Sequence, residues 1–155
     1  MPSRSREQSK KPSNAHLRVI ARLENSLGEL RPEGRPARET LRERAEAILA
    51  ATANVDCAIL IANDRGRYIS VNRAAVGLTG YREAELLTMS VWELTPAANV
   101  AAGRKQWEEF LRRGRMQGTY ELQRKNGTPI RVTFSAVAHV LPGTHLSALL
   151  PAGAN

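Results

Sequence analysis

Cysteine, aromatic residues and long apolar runs are all scarce in this chain of 155 residues. The single cysteine, Cys57, excludes a disulfide within the chain and any zinc or iron–sulfur site that needs several cysteines. The longest apolar run, Cys57 to Ala62, is far shorter than a membrane-spanning helix. Residues 1–12 are polar and basic, without the apolar centre of a secretory signal. We therefore expect a cytoplasmic protein without a membrane partner.

The formal net charge of +8 raises the question of a nucleic-acid partner. Residues 1–52 hold 11 basic and 7 acidic groups and residues 53–155 hold 12 and 8, so each part carries +4. Arginine provides 19 of the 23 basic groups, a bias typical of GC-rich genomes that explains the charge without a partner. Two stretches concentrate the basic residues: Arg4, Arg6, Lys10 and Lys11 form the first, and Arg104, Lys105, Arg112, Arg113 and Arg115 form the second.

The first third of the sequence predicts two helices joined by a linker. Residues 1–13 lack periodicity and are predicted to be a disordered basic arm. In residues 14–31, leucine and isoleucine recur every three or four positions, which predicts a short amphipathic helix. Residues 32–36 contain two prolines and a glycine and are predicted to be the linker. A second helix is predicted over residues 37–52, with an apolar face formed by Leu41, Ala45, Ile48 and Leu49.

The hydrophobic period then changes to that of strands and short helices, over a predicted domain at residues 53–150 and a tail at 151–155. Asn126-Gly127 is a strong hairpin signal between two of the strands. The order predicts an α+β domain, in which a five-stranded antiparallel sheet carries its helices on one face. The predicted strands cover 56–63, 67–71, 118–125, 128–139 and 144–150, and the predicted helical segments cover 72–95 and 97–113.

The most specific motif is NRAAVGLTGYREAELL at residues 72–87, which resembles the PAS-domain pattern N-x-A-x-x-x-x-T-G-Y-x-x-x-E-L. The segments DRGRYI at 64–69 and YELQRKNGT at 120–128 also resemble PAS sequences, with Asn126 where many have aspartate. The resemblance covers about residues 47–150 and implies the PAS fold. Asn72 suits a helix cap, and Gly80 suits a break between two helices.

The resemblance also implies tests for known PAS cofactors. Flavin photoreceptors need a cysteine within an N-C-R-F-L-Q helix, and Cys57 lies on the first strand, so a flavin photoadduct is excluded. Haem sensors place an axial histidine on the long helix, and residues 97–113 contain none. His139 and His145 flank the last hairpin, where a histidine is more typically a surface or hydrogen-bonding residue. We therefore do not expect haem, and the sequence identifies no other cofactor.

The resemblance further implies a pocket between the sheet and the helices. We expect Trp92, Trp107 and Phe134 at its centre. Two interpretations stay open: a pocket that binds a small molecule, or an empty core in a module that only dimerises. The candidate pocket residues are Ile59, Ile61, Tyr68, Leu78, Val91, Trp92, Trp107, Phe110, Tyr120, Val132, Phe134 and Leu146.

Catalytic and metal-binding patterns are not found, so we expect neither an enzyme nor a metal protein. The sequence favours a signal-transduction module that forms a homodimer through Leu41, Ala45, Ile48 and Leu49. Its partner would be a separate regulatory protein such as a kinase or a transcription factor. The alternative is a nucleic-acid-associated transcriptional regulator that uses its basic arm and arginine cluster in salt-dependent contacts. A third possibility is the sensory part of a longer ancestral kinase or transcription factor, now free-standing.

Overall fold

A five-stranded antiparallel sheet forms the centre of the fold. The structure, a computed structural model, describes residues 14–30 and 33–152, so the predicted basic arm and residues 153–155 lie outside it. In chain order the elements are α1 (Asn14–Gly28), α2 (Leu41–Ala51), β1 (Ala58–Ala62), β2 (Tyr68–Val71), α3 (Arg73–Thr79), α4 (Glu83–Leu86), two 3₁₀ turns (Val91–Leu94 and Ala97–Asn99), α5 (Val100–Arg113), β3 (Arg115–Gln123), β4 (Pro129–Leu141) and β5 (Thr144–Pro151).

The strands lie in the order β2-β1-β5-β4-β3, so the last strand occupies the middle of the sheet. β5 pairs with β1 on one side and with β4 on the other, as in the pairs Ile61 with Leu146 and Ser135 with Ala148. The predicted α+β architecture, with its five-stranded antiparallel sheet, is confirmed. β3 begins at Arg115, three residues earlier than predicted, because Gly114 ends α5 in the left-handed conformation (φ 88°) and turns the chain directly into the strand.

Both faces of the sheet are covered by helices. On one face, which we call the α5 face, Ala58 and Leu60 of β1 pack in a layer with residues of α3, α4, the 3₁₀ turns and α5. On the other, the α2 face, Ile59 and Ile61 pack with residues of α1 and α2. β1 is therefore buried at all five of its residues, because alternate side chains enter two separate apolar layers.

Helix α2 packs on the sheet of its own chain. Its N-cap Thr40 accepts a hydrogen bond from the Glu43 N–H, and the Glu43 carboxylate accepts one from the Thr40 N–H. Ala45 and Ile48 are fully buried in the α2-face layer. Since side chains buried within the chain cannot also contact a second chain, these two residues do not form the dimer interface that the sequence suggested.

The other two candidate interface residues on α2 are less enclosed. Leu49 is half-buried against the same layer. Leu41 remains 37% exposed. The helical period alone shows that α2 has an apolar face, and the structure shows that the sheet covers most of that face.

Asn72 joins the first strand to the first helix of the α5 face. Its Oδ1 accepts hydrogen bonds from the backbone N–H groups of Ala75 and Ile59, each at 3.0 Å. Its Nδ2 donates to the Cys57 carbonyl at 2.9 Å. One side chain thus caps α3 and satisfies two backbone groups of the β1 segment, which fixes where the helical layer starts.

Candidate ligand-binding cavity

A cavity of about 330 Å³ lies between the α5 face of the sheet and helix α5. This volume is at the small end of the range found for ligand pockets. The cavity is lined by Tyr68, Val91, Trp92, Thr95, Asn99, Ala102, Gly103, Gln106, Trp107, Phe110, Met116, Thr119, Tyr120, Glu121, Phe134, Ala136, Ser147 and Leu149.

Aromatic rings from both layers form the cavity wall. Trp107 and Phe110 lie one turn apart on the buried side of α5, with ring centroids 5.3 Å apart. Tyr120 of β3 and Phe134 of β4 meet edge to face at 5.5 Å. A Cβ on Gly118 would lie 3.3 Å from Phe134 Cε1, so the missing side chain leaves space for that ring against β3.

The turn between β1 and β2 supports the tryptophans. Gly66 has a φ of +80°, and a Cβ there would lie 2.7 Å from Trp92 Cζ3. Glycine is therefore required for both its backbone conformation and the close approach of the ring. The Arg104 guanidinium lies 5.2 Å from the centre of the Trp92 ring, a cation–π distance. Trp107 Nε1 donates to the Asp64 carbonyl of the same turn at 3.3 Å.

Two phenol groups give this wall its polar character. Tyr68 is only 4% exposed, and neither its hydroxyl nor that of Tyr120 has a hydrogen-bond partner among the described residues. Burial, and after it the nearby Tyr120 and Glu93, raise the pKa of Tyr68 well above its usual range. Burial also raises the pKa of Tyr120. Both phenols are therefore neutral near pH 7, and each can donate one hydrogen bond to a bound molecule.

The mouth of the cavity is polar. Asn99 and Gln106 on the α5 side and Thr119 and Glu121 on β3 are exposed. Among the described residues, none that lines the cavity is a lysine, arginine or histidine. A bound anion would therefore find no opposite charge within the cavity wall.

The structure brings seven of the twelve sequence-predicted pocket residues to the cavity, and the three expected at its centre are among them. Leu78 and Val132 belong to the same apolar layer but do not line the cavity. The seven are Tyr68, Val91, Trp92, Trp107, Phe110, Tyr120 and Phe134.

Ile59, Ile61 and Leu146 were placed at the pocket by the sequence and lie instead on the α2 face. Their strands β1 and β5 are both apolar at successive positions, so the pattern does not show which alternate set faces which helices. On β5 the cavity receives Ser147 and Leu149, the neighbours of Leu146 and Ala148.

Eleven further residues line the cavity and were not predicted; Met116, Ala136, Ser147 and Leu149 are among them. Phe134 provides a signal for one of these residues, because Ala136 is two positions further along β4 and so faces the same side. For Ser147 and Leu149 the sequence does not indicate which residues face the cavity, since their strand is buried on both faces.

A cluster of Asp64, His139 and His145 lies beside the cavity wall. One potential ligand atom from each residue falls within 4.8 Å of the others, which is a spacing that a metal ion could bridge. However, His145 Nε2 lies 2.7 Å from Asp64 Oδ1, and His145 Nδ1 accepts a hydrogen bond from the His139 N–H at 2.9 Å.

Both ring nitrogens of His145 are thus already engaged. A metal on Nε2 would move the ring proton to Nδ1, where it would face the backbone donor of His139. A metal on Nδ1 would displace that donor from its acceptor. The arrangement is therefore that of a hydrogen-bonded histidine, and we do not assign a metal site to it.

Comparison with known proteins gives one family and one fold. A family model for the PAS domain matches residues 56–143. None of the curated proteins compared with the chain matches it. Among the described residues, no helix is both long and apolar enough to cross a membrane.

Solved structures from several organisms are similar to the chain. The PAS domain of an HTR-like protein from Haloarcula marismortui is 22% identical, with a TM-score of 0.58 over 72% of this chain and 93% of that one. A domain of a sensory box sensor histidine kinase/response regulator from Geobacter sulfurreducens is 24% identical, with a TM-score of 0.56 over 72% and 96%. A PAS domain from Desulfitobacterium hafniense is 26% identical, with a TM-score of 0.51 over 63% and 93%.

Proposed function

Because the chain belongs to the PAS-domain family, we propose that it is a sensory module that binds a small, uncharged, mainly apolar molecule and passes the signal to a separate regulatory protein. The observation that carries this proposal is the aromatic cavity of about 330 Å³, in which the phenols of Tyr68 and Tyr120 have no hydrogen-bond partner within the part of the chain that the structure describes. A concave, mainly apolar wall with a few polar groups is typical of small-molecule sites.

The cavity wall favours a particular class of ligand. The aromatic residues offer a surface for a flat or short-chain apolar group. Since no basic side chain of residues 14–30 and 33–152 lines the cavity, a free carboxylate or phosphate would lose its hydration without gaining a counter-charge from them. An uncharged molecule with a carbonyl, ether or hydroxyl oxygen could instead accept a hydrogen bond from Tyr68 or Tyr120.

The nucleic-acid alternative gains no support from the arginine cluster. Arg112 and Arg113 both form ion pairs with Glu109, and Arg113 Nε lies 2.6 Å from Glu109 Oε2. Arg115 pairs with Glu24 of α1 at 3.1 Å. Three arginines of the predicted patch are thus engaged within the chain, which weakens their attraction for phosphates.

Native mass spectrometry of the purified chain tests the proposed function. We expect a mass above that of the polypeptide, removed by unfolding, because the cavity retains a ligand from the cell. Ala136→Phe fills the cavity from β4 and should remove the excess mass, whereas the matched control Ala136→Val should keep it. If the wild-type chain carries no excess mass, or if Ala136→Phe retains it, the ligand does not occupy this cavity.

A further inference from the structure

The hairpin of β4 and β5 contains an irregularity built around His145. Strand pairing shifts between Val137, which faces Leu146, and Leu141, which faces Thr144. Three residues of β4, 138–140, therefore span the distance opposite His145. Within this bulge His139 has a φ of +55°, the only positive value for a non-glycine residue in the described part of the chain.

The His145 ring satisfies the backbone that the bulge disturbs. His145 is 1% exposed, and its Nδ1 accepts the hydrogen bond of the His139 N–H at 2.9 Å. Because Nδ1 is an acceptor, the ring proton is on Nε2 and points to Asp64 Oδ1 at 2.7 Å. The neutral Nε2–H form of His145 thus accepts a hydrogen bond from the bulge through Nδ1 and donates one to Asp64 of the β1–β2 turn through Nε2.

The groups around His145 come from four elements. Asp64 faces it from the β1–β2 turn, and the exposed His139 ring faces it from β4 at 4.6 Å between centroids. Helix α5 contributes only the uncharged rings of Trp107 and Phe110, at 5.6 and 6.3 Å. The residue opposite His145 on β1 is Ala62.

Helix α2 rests on the tip of the same hairpin. The Arg44 guanidinium donates to the Pro142 carbonyl at 3.0 Å. Leu41 packs on Gly143, where a Cβ would lie 2.9 Å from Leu41 Cδ2. A movement of residues 138–143 would therefore remove the support for the first turn of α2.

We propose that His145 is a proton-sensitive latch: a proton taken up at Nδ1 breaks its bond to the His139 N–H, opens the bulge and loosens the first half of α2. In the protonated ring both nitrogens are donors, so Nδ1–H and the His139 N–H would point at one another. The bond from Nε2 to Asp64 is kept, which confines the change to the β4 side and to the hairpin tip.

The direction of the pH dependence follows from the surroundings of His145. Burial lowers its pKa below the ordinary 6.5, the hydrogen bond and charge of Asp64 oppose this, and His139 adds to the lowering. A lowered folded-state pKa means that the latch is fully closed above about pH 6.5. It weakens as the pH falls from there toward the folded-state pKa of His145. This inference does not depend on a ligand in the cavity.

Amide hydrogen exchange and histidine NMR on the full chain test the latch. At pH 7.5, long-range proton–nitrogen spectra should show His145 as the neutral Nε2–H form. Below pH 6.5, the protection factors of the amides of residues 44–48, corrected for intrinsic exchange, should fall by up to about tenfold per pH unit. The amides of residues 58–60 of β1, which pair with residues 147–149 and not with His145, serve as the internal reference.

Two variants separate the latch from general acid sensitivity. In His145→Gln the amide oxygen can accept from His139 and the NH₂ group can donate to Asp64, so protection of residues 44–48 should become independent of pH in this range. Asp64→Asn changes an exposed side chain and should move the transition to lower pH, because it removes the charge that favours protonation. The latch is wrong if His145 carries its proton on Nδ1 at pH 7.5, or if wild type and Asp64→Asn lose protection at the same pH.

Discussion

Replacing Ile48 with alanine tests whether α2 packs on the sheet of its own chain. Ile48 is fully buried in the α2-face layer. The substitution removes three carbon groups, which is worth about 2.4 kcal/mol in transfer free energy, and the cavity left behind raises the expected loss of stability to about 3–4 kcal/mol. Leu41→Ala on the same helix also removes three carbon groups, but Leu41 is 37% exposed, so it should cost only about 1 kcal/mol.

Urea unfolding of wild type and both variants measures these losses. The loss for Ile48→Ala should be the same over about a hundredfold range of protein concentration, because the contacts lie within one chain. A loss that varies with concentration would mean that α2 packs on a second copy, as the sequence suggested. A loss below about 0.5 kcal/mol would show that Ile48 is not buried at all. For the same reason Ile48→Asp should unfold the chain and not merely separate a dimer.

Three further predictions concern the scaffold around the cavity. Gly66→Ala should lower the free energy of unfolding in urea more than Gly114→Ala does. Both residues have a positive φ, but only a Cβ on Gly66 would clash with Trp92. Equal losses would contradict the close approach of Trp92 to Gly66. Asn72→Ala should cost about 2–4 kcal/mol, since a helix cap and the partners of two backbone groups are lost together, and Asn72→Ser, whose hydroxyl can still cap the helix, should cost less. Cys57, whose pKa is raised to about 12 mainly by burial, should react with a thiol reagent at pH 8 only after urea unfolding, and rapid labelling of the folded chain would show that this thiol, just before β1, is accessible.

The fold could be predicted because its signals are local. The segment from Asn72 to Gly80 contains a helix cap and a helix stop at fixed spacing, and the structure shows both at those positions. Asn126-Gly127 likewise predicted the turn between β3 and β4, where Gly127 has a φ of +89°. These signals depend on single residues and their immediate neighbours, so they can be recognised without tertiary structure.

The cavity could be predicted only in part, because it depends on which face a buried strand presents. Helix α5 buries one side, and the side chains of β3 alternate in burial along most of the strand. Trp107 and Tyr120, which the sequence placed at the pocket, line the cavity. β1 and β5 have apolar residues on both sides, so their sequence does not show that Ile59 and Leu146 lie on the α2 face and not at the cavity.

The contact of Asp64 with His145 had no sequence signal. The two residues are 81 positions apart, and their meeting depends on the central position of β5 and on the bulge in β4. A bulge changes the strand register without a distinctive residue pattern here, since His139 rather than glycine adopts the positive φ. Such long-range contacts follow from the complete topology and not from local propensity.

The measurement that tests the central claim most directly is an NMR titration with indole, an uncharged aromatic probe. The isotope-labelled full chain is first unfolded and refolded to remove any ligand retained from the cell. If small apolar molecules bind between the sheet and α5, signals of Tyr68, Trp107 and Phe134 should shift together with one saturating curve, while those of Ile59 and Leu146 on the α2 face stay in place. Saturating shifts confined to the α2 face, or no saturating shifts up to about 5 mM indole, would contradict the claim that this cavity is the binding site.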